Sequence, residues 1–168
     1  MEDQEDSTPE SPSPSTLPHT FSTTATNKKV HPVAFILDNV RSAFNVGSIF
    51  RSAETAGAAE VITCGITPHP PHPKLRKTAF SSVDTVPSRH FDDILSAIAV
   101  LKQENYTIVA LETTSKSRVY TEVNYPLKNA LVLGNEVTGV DTRVMDVADL
   151  IVEIPTFGVK NSLNVASA

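Results

Sequence analysis

An arginine and an asparagine in the first third of the chain could bind a phosphate or a carboxylate. Arg51 follows Asn45 by six residues and lies in the run Ile49-Phe50-Arg51-Ser52-Ala53, between apolar residues. A guanidinium can grip a phosphate or carboxylate through two parallel hydrogen bonds. It can equally be a solvated charge on the outer face of a helix, and periodicity alone leaves both interpretations open.

Two segments in the last third of the chain could form a pocket for a small ligand. In residues 131–141 and 154–168, an apolar strand-like run leads into a turn that contains Gly134 or Gly158, and helix-like sequence follows. Glycine-bearing loops at the edge of an α/β sheet are a frequent place for ligands. We therefore expect a binding pocket between these segments.

Several familiar site types do not fit the sequence. Residues 134–139 have the two glycines of a phosphate-binding loop but lack the Lys and Ser/Thr that follow them in nucleoside triphosphatases. No Gly-x-Gly-x-x-Gly follows the first predicted strand, which disfavours a dinucleotide site. His69 and His72 have ligand-like spacing in a proline-rich loop, but zinc normally recruits three or four ligands, so we predict no metal site.

Composition separates an N-terminal tail from a folded domain. Residues 1–29 are rich in Pro, Ser and Thr and carry −3 of the formal charge of −5, so we predict a disordered acidic tail. The nearly neutral remainder has no overall basic footprint for nucleic acid. Acids at the start argue against an organelle transit peptide, and we see no secretion signal or apolar run long enough for a membrane. With one cysteine, Cys64, the chain is predicted to be cytoplasmic or nuclear.

From residue 30 onward, apolar runs alternate with helical periodicity. Three helices are predicted: one from an N-cap at Asn45 to a stop at Gly57, and two more over residues 91–101 and 140–147. The predicted strands are residues 33–37, 60–64, 106–111, 130–133 and 150–154. This order predicts one α/β domain over residues 30–168, with a mainly parallel sheet and helices on both faces.

Three motifs resemble those of the SpoU (TrmH-like) RNA 2′-O-ribose methyltransferases of the SPOUT superfamily. The first is Asn45…Gly47…Arg51…Ala53…Gly57, the second is residues 131–141, and the third is residues 154–168 with its Ser162-Leu163-Asn164-Val165. They occur in the family's order and at family-like spacing. The resemblance covers about residues 31–168.

This resemblance implies methyl transfer from S-adenosylmethionine to a ribose 2′-hydroxyl of tRNA or rRNA, by a homodimer. It also implies a SPOUT-type trefoil knot at the C-terminal end of the fold. The implied cofactor-binding residues are Thr113, Gly134, Ile154 and Leu163. The implied catalytic residues are Asn45, Arg51, Glu136, Ser162 and Asn164. Because a guanidinium is a poor base, our hypothesis is that Arg51 binds the adjacent phosphate and stabilises the developing alkoxide.

Local positive charge would have to supply the contacts with RNA. The cluster Lys74, Arg76 and Lys77 follows the proline-rich loop, with Arg41 expected nearby and His72 and Arg89 as further candidates. A short basic run is often only solvated surface. Its place near the predicted carboxyl edge of the sheet favours phosphate contacts here.

The C-terminal end departs from the family pattern. Only about one helical turn follows Leu163, so we expect a methyltransferase domain truncated at its C-terminal helix. One alternative is therefore a catalytically impaired RNA-binding module or an inactive truncated isoform of such an enzyme. Another is a metabolic enzyme or nucleotide sensor on an ordinary doubly wound α/β sheet.

Overall fold

A computed structural model describes residues 29–159 and 162–168. The predicted disordered tail lies outside the described residues, apart from Lys29. The strands are β1 His31–Asp38, β2 Ala58–Cys64, β3 Ser88–Phe91, β4 Thr107–Leu111, β5 Arg118–Val119, β6 Asn129–Leu133 and β7 Leu150–Glu153. The helices are α1 Ala43–Ala56, α2 Arg76–Ala79, α3 Ser82–Thr85, α4 Ile94–Gln103 and α5 Thr142–Val147, with a 3₁₀ turn at Tyr120–Glu122.

The strands form a single parallel sheet with the order β3-β2-β1-β6-β4-β7-β5. Each recorded pairing between neighbouring strands is parallel. Strand β1 lies inside the sheet and sets Ile36 beside Ile62 of β2 and Val132 of β6. The predicted α/β class and mainly parallel sheet are confirmed. A parallel sheet brings the carboxyl ends of its strands to one edge, and that edge carries the site.

Helices cover both faces of the sheet, as predicted. Ala34 and Ile36 of β1 are buried in one core with α4 and α5, whereas Leu37 is buried in a second core with α1 and α2. Alternate residues of a strand point to opposite faces, so a strand buried on both sides reads as a continuous apolar run. Among the described residues, no helix has the length and apolarity needed to cross a membrane.

Helix α1 begins three residues earlier than predicted. Ser42 is the N-cap, with extended backbone angles and a side chain that accepts a hydrogen bond from the Asn45 amide at 3.3 Å. The prediction that Asn45 caps the helix is therefore wrong, and its side chain instead bonds Glu136 and Asn164. Gly57 ends the helix at φ 67°, the left-handed conformation that glycine adopts without strain, as predicted.

The second predicted helix was placed too early. Residue 91 is the last residue of β3, and α4 starts at Ile94 behind Asp93, whose carboxylate accepts from the Leu95 and Ser96 amides. Strands β3 and β5 were not predicted, because β3 mixes polar and apolar residues and β5 has only two residues. Cys64 is buried at the end of β2, and burial raises the pKa of its thiol to about 12.

Candidate active site

A cavity of about 560 Å³ lies at the carboxyl edge of the sheet. Residues 111–114 at the end of β4, residues 133–140 after β6 and residues of the C-terminal segment from Glu153 onward supply most of its lining, and Thr142 and Met145 of α5 complete it. Strands β6, β4 and β7 are neighbours in the sheet, so their loops converge. The lining includes all four predicted cofactor-binding residues, Thr113, Gly134, Ile154 and Leu163.

The loop after β6 is held tightly by its own hydrogen bonds. The side-chain oxygen of Asn135 accepts from the amides of Val137 and Thr138, at 2.8 and 3.2 Å. The backbones of Asn135 and Gly139 also exchange two hydrogen bonds of 3.0 Å each. A Cβ atom at Gly134 would collide with the backbone of Gly139, so only glycine fits where the loop closes on itself.

The lining of the cavity is acidic. Its described lining contains the carboxylates of Glu112, Glu136 and Glu153 and has no Lys or Arg. The Glu112 carboxylate accepts from the Thr113 amide at 3.0 Å and from the Val140 amide at 2.9 Å, so it joins two of the lining loops. Such a cavity favours a ligand with positive charge and disfavours one with several phosphates.

Three of the predicted catalytic residues form one hydrogen-bonded chain beside the cavity. The Glu136 carboxylate accepts from the Arg41 amide at 2.9 Å, and from the Ser42 amide and the Asn45 side-chain amide at 3.0 Å each. The Asn45 side-chain oxygen accepts in turn from Asn164 at 3.3 Å. The start of α1, the loop after β6 and the C-terminal segment are thereby tied together.

The environment of Glu136 keeps its side chain ionised. Burial alone would raise the pKa of this carboxyl. The hydrogen bonds donated by backbone amides, including those of Arg41 and Ser42, and by the Asn45 side chain outweigh that effect, so the pKa lies below its ordinary value. Glu136 is therefore a fixed anion near neutral pH.

The other two predicted catalytic residues stand apart from this chain of hydrogen bonds. Ser162 lines the cavity and is exposed. Arg51 is exposed in the third turn of α1, and its guanidinium carbon lies 5.2 Å from the centre of the Phe80 ring. Among the described residues, the Arg51 guanidinium has no hydrogen-bond partner. The catalytic roles of all five residues stay predictions.

Three of the predicted RNA-contacting residues lie at α2, and the fourth, Arg41, precedes α1. Arg41, Lys74, Arg76 and Lys77 are all exposed, and Arg76 also pairs with Asp84 at 2.8 Å, a solvated contact of small energy. Arg89 does not extend this surface. Its guanidinium binds Glu60 and Glu104, which raise its pKa and hold it against the sheet.

Asp38, which follows the predicted strand of residues 33–37, ties the end of β1 to the start of α5. It ends β1, is only 2% exposed, and accepts a hydrogen bond from the Asp141 amide at 2.9 Å. Burial raises its pKa, partly offset by the hydrogen bonds it accepts from the Asp141 amide and the Asn39 side chain. A charged residue directly after the apolar run of residues 33–37 was the available signal, because such a residue stands where the sheet's loops meet. Within the described chain, no three His, Cys, Asp or Glu side chains are grouped to hold a metal ion.

Similarity to known proteins covers nearly all of the described chain. Residues 32–168 match the profile of the SpoU rRNA Methylase family. The chain is 29% identical over 133 residues to the tRNA (guanosine(18)-2′-O)-methyltransferase of Thermus thermophilus, covering 79% of this chain and 68% of that protein. It is 28% identical over 135 residues to a 23S rRNA (guanosine-2′-O-)-methyltransferase of Neisseria meningitidis, covering 80% of this chain and 54% of that protein.

Solved structures share the architecture. An S-adenosylmethionine-bound rRNA methyltransferase of Sinorhizobium meliloti superposes with a TM-score of 0.75 at 27% identity, over 83% of this chain and 55% of that one. The TrmH/SpoU tRNA-modifying enzyme of A. aeolicus superposes with a TM-score of 0.75 at 25% identity, over 83% of this chain and 71% of that one. The chain thus spans roughly half to seven-tenths of the length of these four relatives.

Proposed function

Because the chain belongs to the SpoU rRNA methylase family, we propose that it transfers a methyl group from S-adenosylmethionine to a ribose 2′-hydroxyl of tRNA or rRNA. The observation that carries this proposal is the acidic cavity beside the hydrogen-bonded residues Glu136, Asn45 and Asn164. A cavity with this charge suits a cationic cofactor, and Asn45 of the helix that bears Arg51 is bonded to its lining residue Glu136. Of the alternative of a metabolic enzyme or nucleotide sensor, the acidic lining argues against the sensor, because carboxylates repel phosphates.

The residues present fit S-adenosylmethionine. A volume of about 560 Å³ is within the usual range for small-molecule sites. Gly134, Ile154 and Leu163 would offer backbone groups and apolar surface, and Thr113 a hydroxyl. When bound, S-adenosylmethionine supplies a positively charged sulfonium whose methyl carbon is open to attack by an oxygen. The three carboxylates suit that charge.

The chain's own residues would position the ribose and stabilise the negative charge that develops on its 2′-oxygen. Glu136, fixed by three donors, orients Asn45, and Asn45 holds Asn164 of the C-terminal segment. This arrangement keeps the cavity wall and the first turn of α1 in one geometry, which favours reaction through orientation. Arg51 can bind the phosphate next to the target ribose and stabilise the 2′-oxygen, whose proton passes to solvent water as the methyl group is transferred. Ser162, exposed at the cavity, shapes the same pocket.

The RNA reaches this site over the surface that carries Arg41, Lys74, Arg76 and Lys77. All four cationic side chains are exposed, and they lie on segments next to the start of α1 or packed against the helix. Phosphate contacts of this kind set the orientation of the RNA without reading its sequence. We propose the surface as the path of the RNA backbone into the site.

Two features of the assembly belong to the same proposal. The C-terminal segment leaves β7 and returns to α1, where Val165 and Ala166 pack against the core, and this return is where the trefoil knot would form. Phe157 and Val159 of that segment are exposed apolar side chains. A second copy of the chain would bury them, which supports the homodimer. Action in the cytoplasm or nucleus stays a prediction.

Calorimetric titration with S-adenosylhomocysteine, followed by transfer of labelled methyl groups to bulk tRNA and rRNA, tests the proposal. We expect one-to-one binding and label confined to ribose. Arg51→Lys should keep cofactor binding, because Arg51 does not line the cavity, and should lose most of the transfer. RNA binding without any methyl transfer would instead support the impaired RNA-binding module. No cofactor binding would contradict the proposed function.

A further inference from the structure

Phe80 combines an unfavourable backbone with an exposed aromatic ring. It ends α2 at φ 54° and ψ −126°, the conformation that glycine normally takes at the first central position of a type II′ turn. The residue is 60% exposed, so burial of its ring does not explain why phenylalanine is tolerated here. Strained residues that the fold does not need are often part of a functional site.

Close packing of α2 on α1 fixes where this ring lies. Gly47 makes the approach possible, because a Cβ atom there would collide with the Thr78 hydroxyl and lie 2.8 Å from the Leu75 carbonyl. The Thr78 hydroxyl also donates to the Phe44 carbonyl at 3.1 Å. These contacts bring the Phe80 ring to 5.2 Å from the Arg51 guanidinium carbon.

The pair of Arg51 and Phe80 lies less than two helical turns along α1 from the Glu136 network. At 1.5 Å per residue, Arg51 lies about 9 Å along the axis of α1 from Asn45, which belongs to the Glu136 network. The exposed Lys77 precedes Phe80 by three residues and could hold a phosphate of the same strand. An exposed aromatic ring with cations beside it is the arrangement that binds unpaired nucleotides.

We propose that Phe80 and Arg51 form a stacking platform for an unpaired base next to the target nucleotide of the RNA. The inference rests on the proposed function and adds to it a preference for single-stranded or looped RNA. The base would stack on the Phe80 ring, and Arg51 would reach the neighbouring phosphate. Stacking on a phenyl ring tolerates any base, so the platform adds affinity without sequence preference.

Fluorescence gives a direct test, because the chain has no tryptophan. Phe80→Trp places a single indole on the platform, and an unlabelled single-stranded oligoribonucleotide should quench its emission by about half as bases stack on it. Leu127→Trp is the matched control. Leu127 is 81% exposed and precedes β6, at the opposite edge of the sheet, so its emission should not change. Binding is followed independently by anisotropy of the same oligoribonucleotide carrying a fluorescein.

Substitutions at Phe80 separate stacking from a purely structural role. Phe80→Leu should weaken binding of the single strand about tenfold, and Phe80→Tyr should preserve it. Phe80→Gly removes the ring and the backbone strain together, so it should fold at least as well as the wild type and still bind RNA as weakly as Phe80→Leu. A duplex of the same sequence should bind with equal affinity to the wild type and to these three variants.

Two results would overturn the platform while leaving the proposed function intact. One is RNA binding by Phe80→Trp without quenching. The other is unchanged RNA affinity in Phe80→Leu and Phe80→Gly with slower methyl transfer, which would mean that the ring only holds Arg51 in place. S-adenosylhomocysteine should bind every variant equally. Failure of the wild-type chain to bind it or to methylate RNA would refute the proposed function instead.

Discussion

Replacing Glu136 with glutamine tests the hydrogen-bonded chain at the centre of the candidate site. One carboxylate oxygen of Glu136 accepts from the Ser42 amide and the Asn45 side chain, and the other accepts from the Arg41 amide. Glutamine offers one oxygen and one NH₂ group. In Glu136→Gln the oxygen can still serve two donors, but the NH₂ group must face the third, so one charge-assisted hydrogen bond is lost and two are weakened.

The size of the effect follows from these contacts. A hydrogen bond to a charged group contributes about 1.5–3 kcal/mol, and the exposure of Glu136 lowers that figure, so we expect a loss of about 1.5 kcal/mol in unfolding free energy. For a domain of this size that is a fall of roughly 5 °C in the thermal midpoint. Methyl transfer should fall at least tenfold, because Asn45 and Asn164 lose the group that orients them.

The effect should depend on pH in a defined direction. Since the folded pKa of Glu136 is lowered, its stabilisation is present above the ordinary glutamate value of about 4.3 and is lost as the pH falls through the folded pKa. The difference in midpoint between wild type and Glu136→Gln should therefore be full near neutral pH and vanish in strong acid. Glu122→Gln is the control, because the Glu122 side chain has no recorded partner among the described residues. Equal midpoints for the two variants near pH 7 would refute the reasoning.

Three further changes have expected outcomes. Gly134→Ala should abolish S-adenosylhomocysteine binding by calorimetry, because its Cβ would collide with the Gly139 backbone, whereas binding at wild-type affinity would show that the loop can open. Arg89→Gln should lower the unfolding free energy by about 2 kcal/mol in denaturant titrations, because it breaks a partly buried ion-pair network. RNA affinity should not change, and weaker RNA binding by the folded variant would show that Arg89 belongs to the RNA surface. Lys74→Gln with Lys77→Gln should weaken RNA binding and lower its salt slope by about two, while a loss of cofactor binding would show that the two lysines are misplaced.

The alternation of strands and helices could be predicted because it is a local property. The continuous apolar run of β1 and the left-handed stop at Gly57 are written in neighbouring residues, and both are confirmed. The start of α1 was missed because Ser42 and Asn45 are both good caps, and the Glu136 carboxylate, which engages the Asn45 side chain, comes from 91 residues away.

The site itself could be predicted only as far as its motifs reach. The four residues expected at the cofactor do line the cavity, since glycine loops after adjacent parallel strands converge at one edge. Glu112 and Asp38 act through backbone amides that folding brings close: Glu112 accepts from the Val140 amide, and Asp38 accepts from the Asp141 amide. No local pattern encodes such a pairing, and the platform at Phe80 likewise appears only once α2 packs on α1.

The hydrogen bond between Asn45 and Asn164 joins residues 119 positions apart. It attaches the C-terminal segment, which completes the pocket, to a sheet that is formed by earlier residues. Within the described residues every strand lies before residue 154, so the sheet can pair fully before the C-terminal segment docks on it. The cavity wall that bears Ile154, Ser162 and Leu163 arrives afterwards. Loosening of that segment would therefore leave the sheet intact and the pocket open, so a variant could lose cofactor binding without losing its fold.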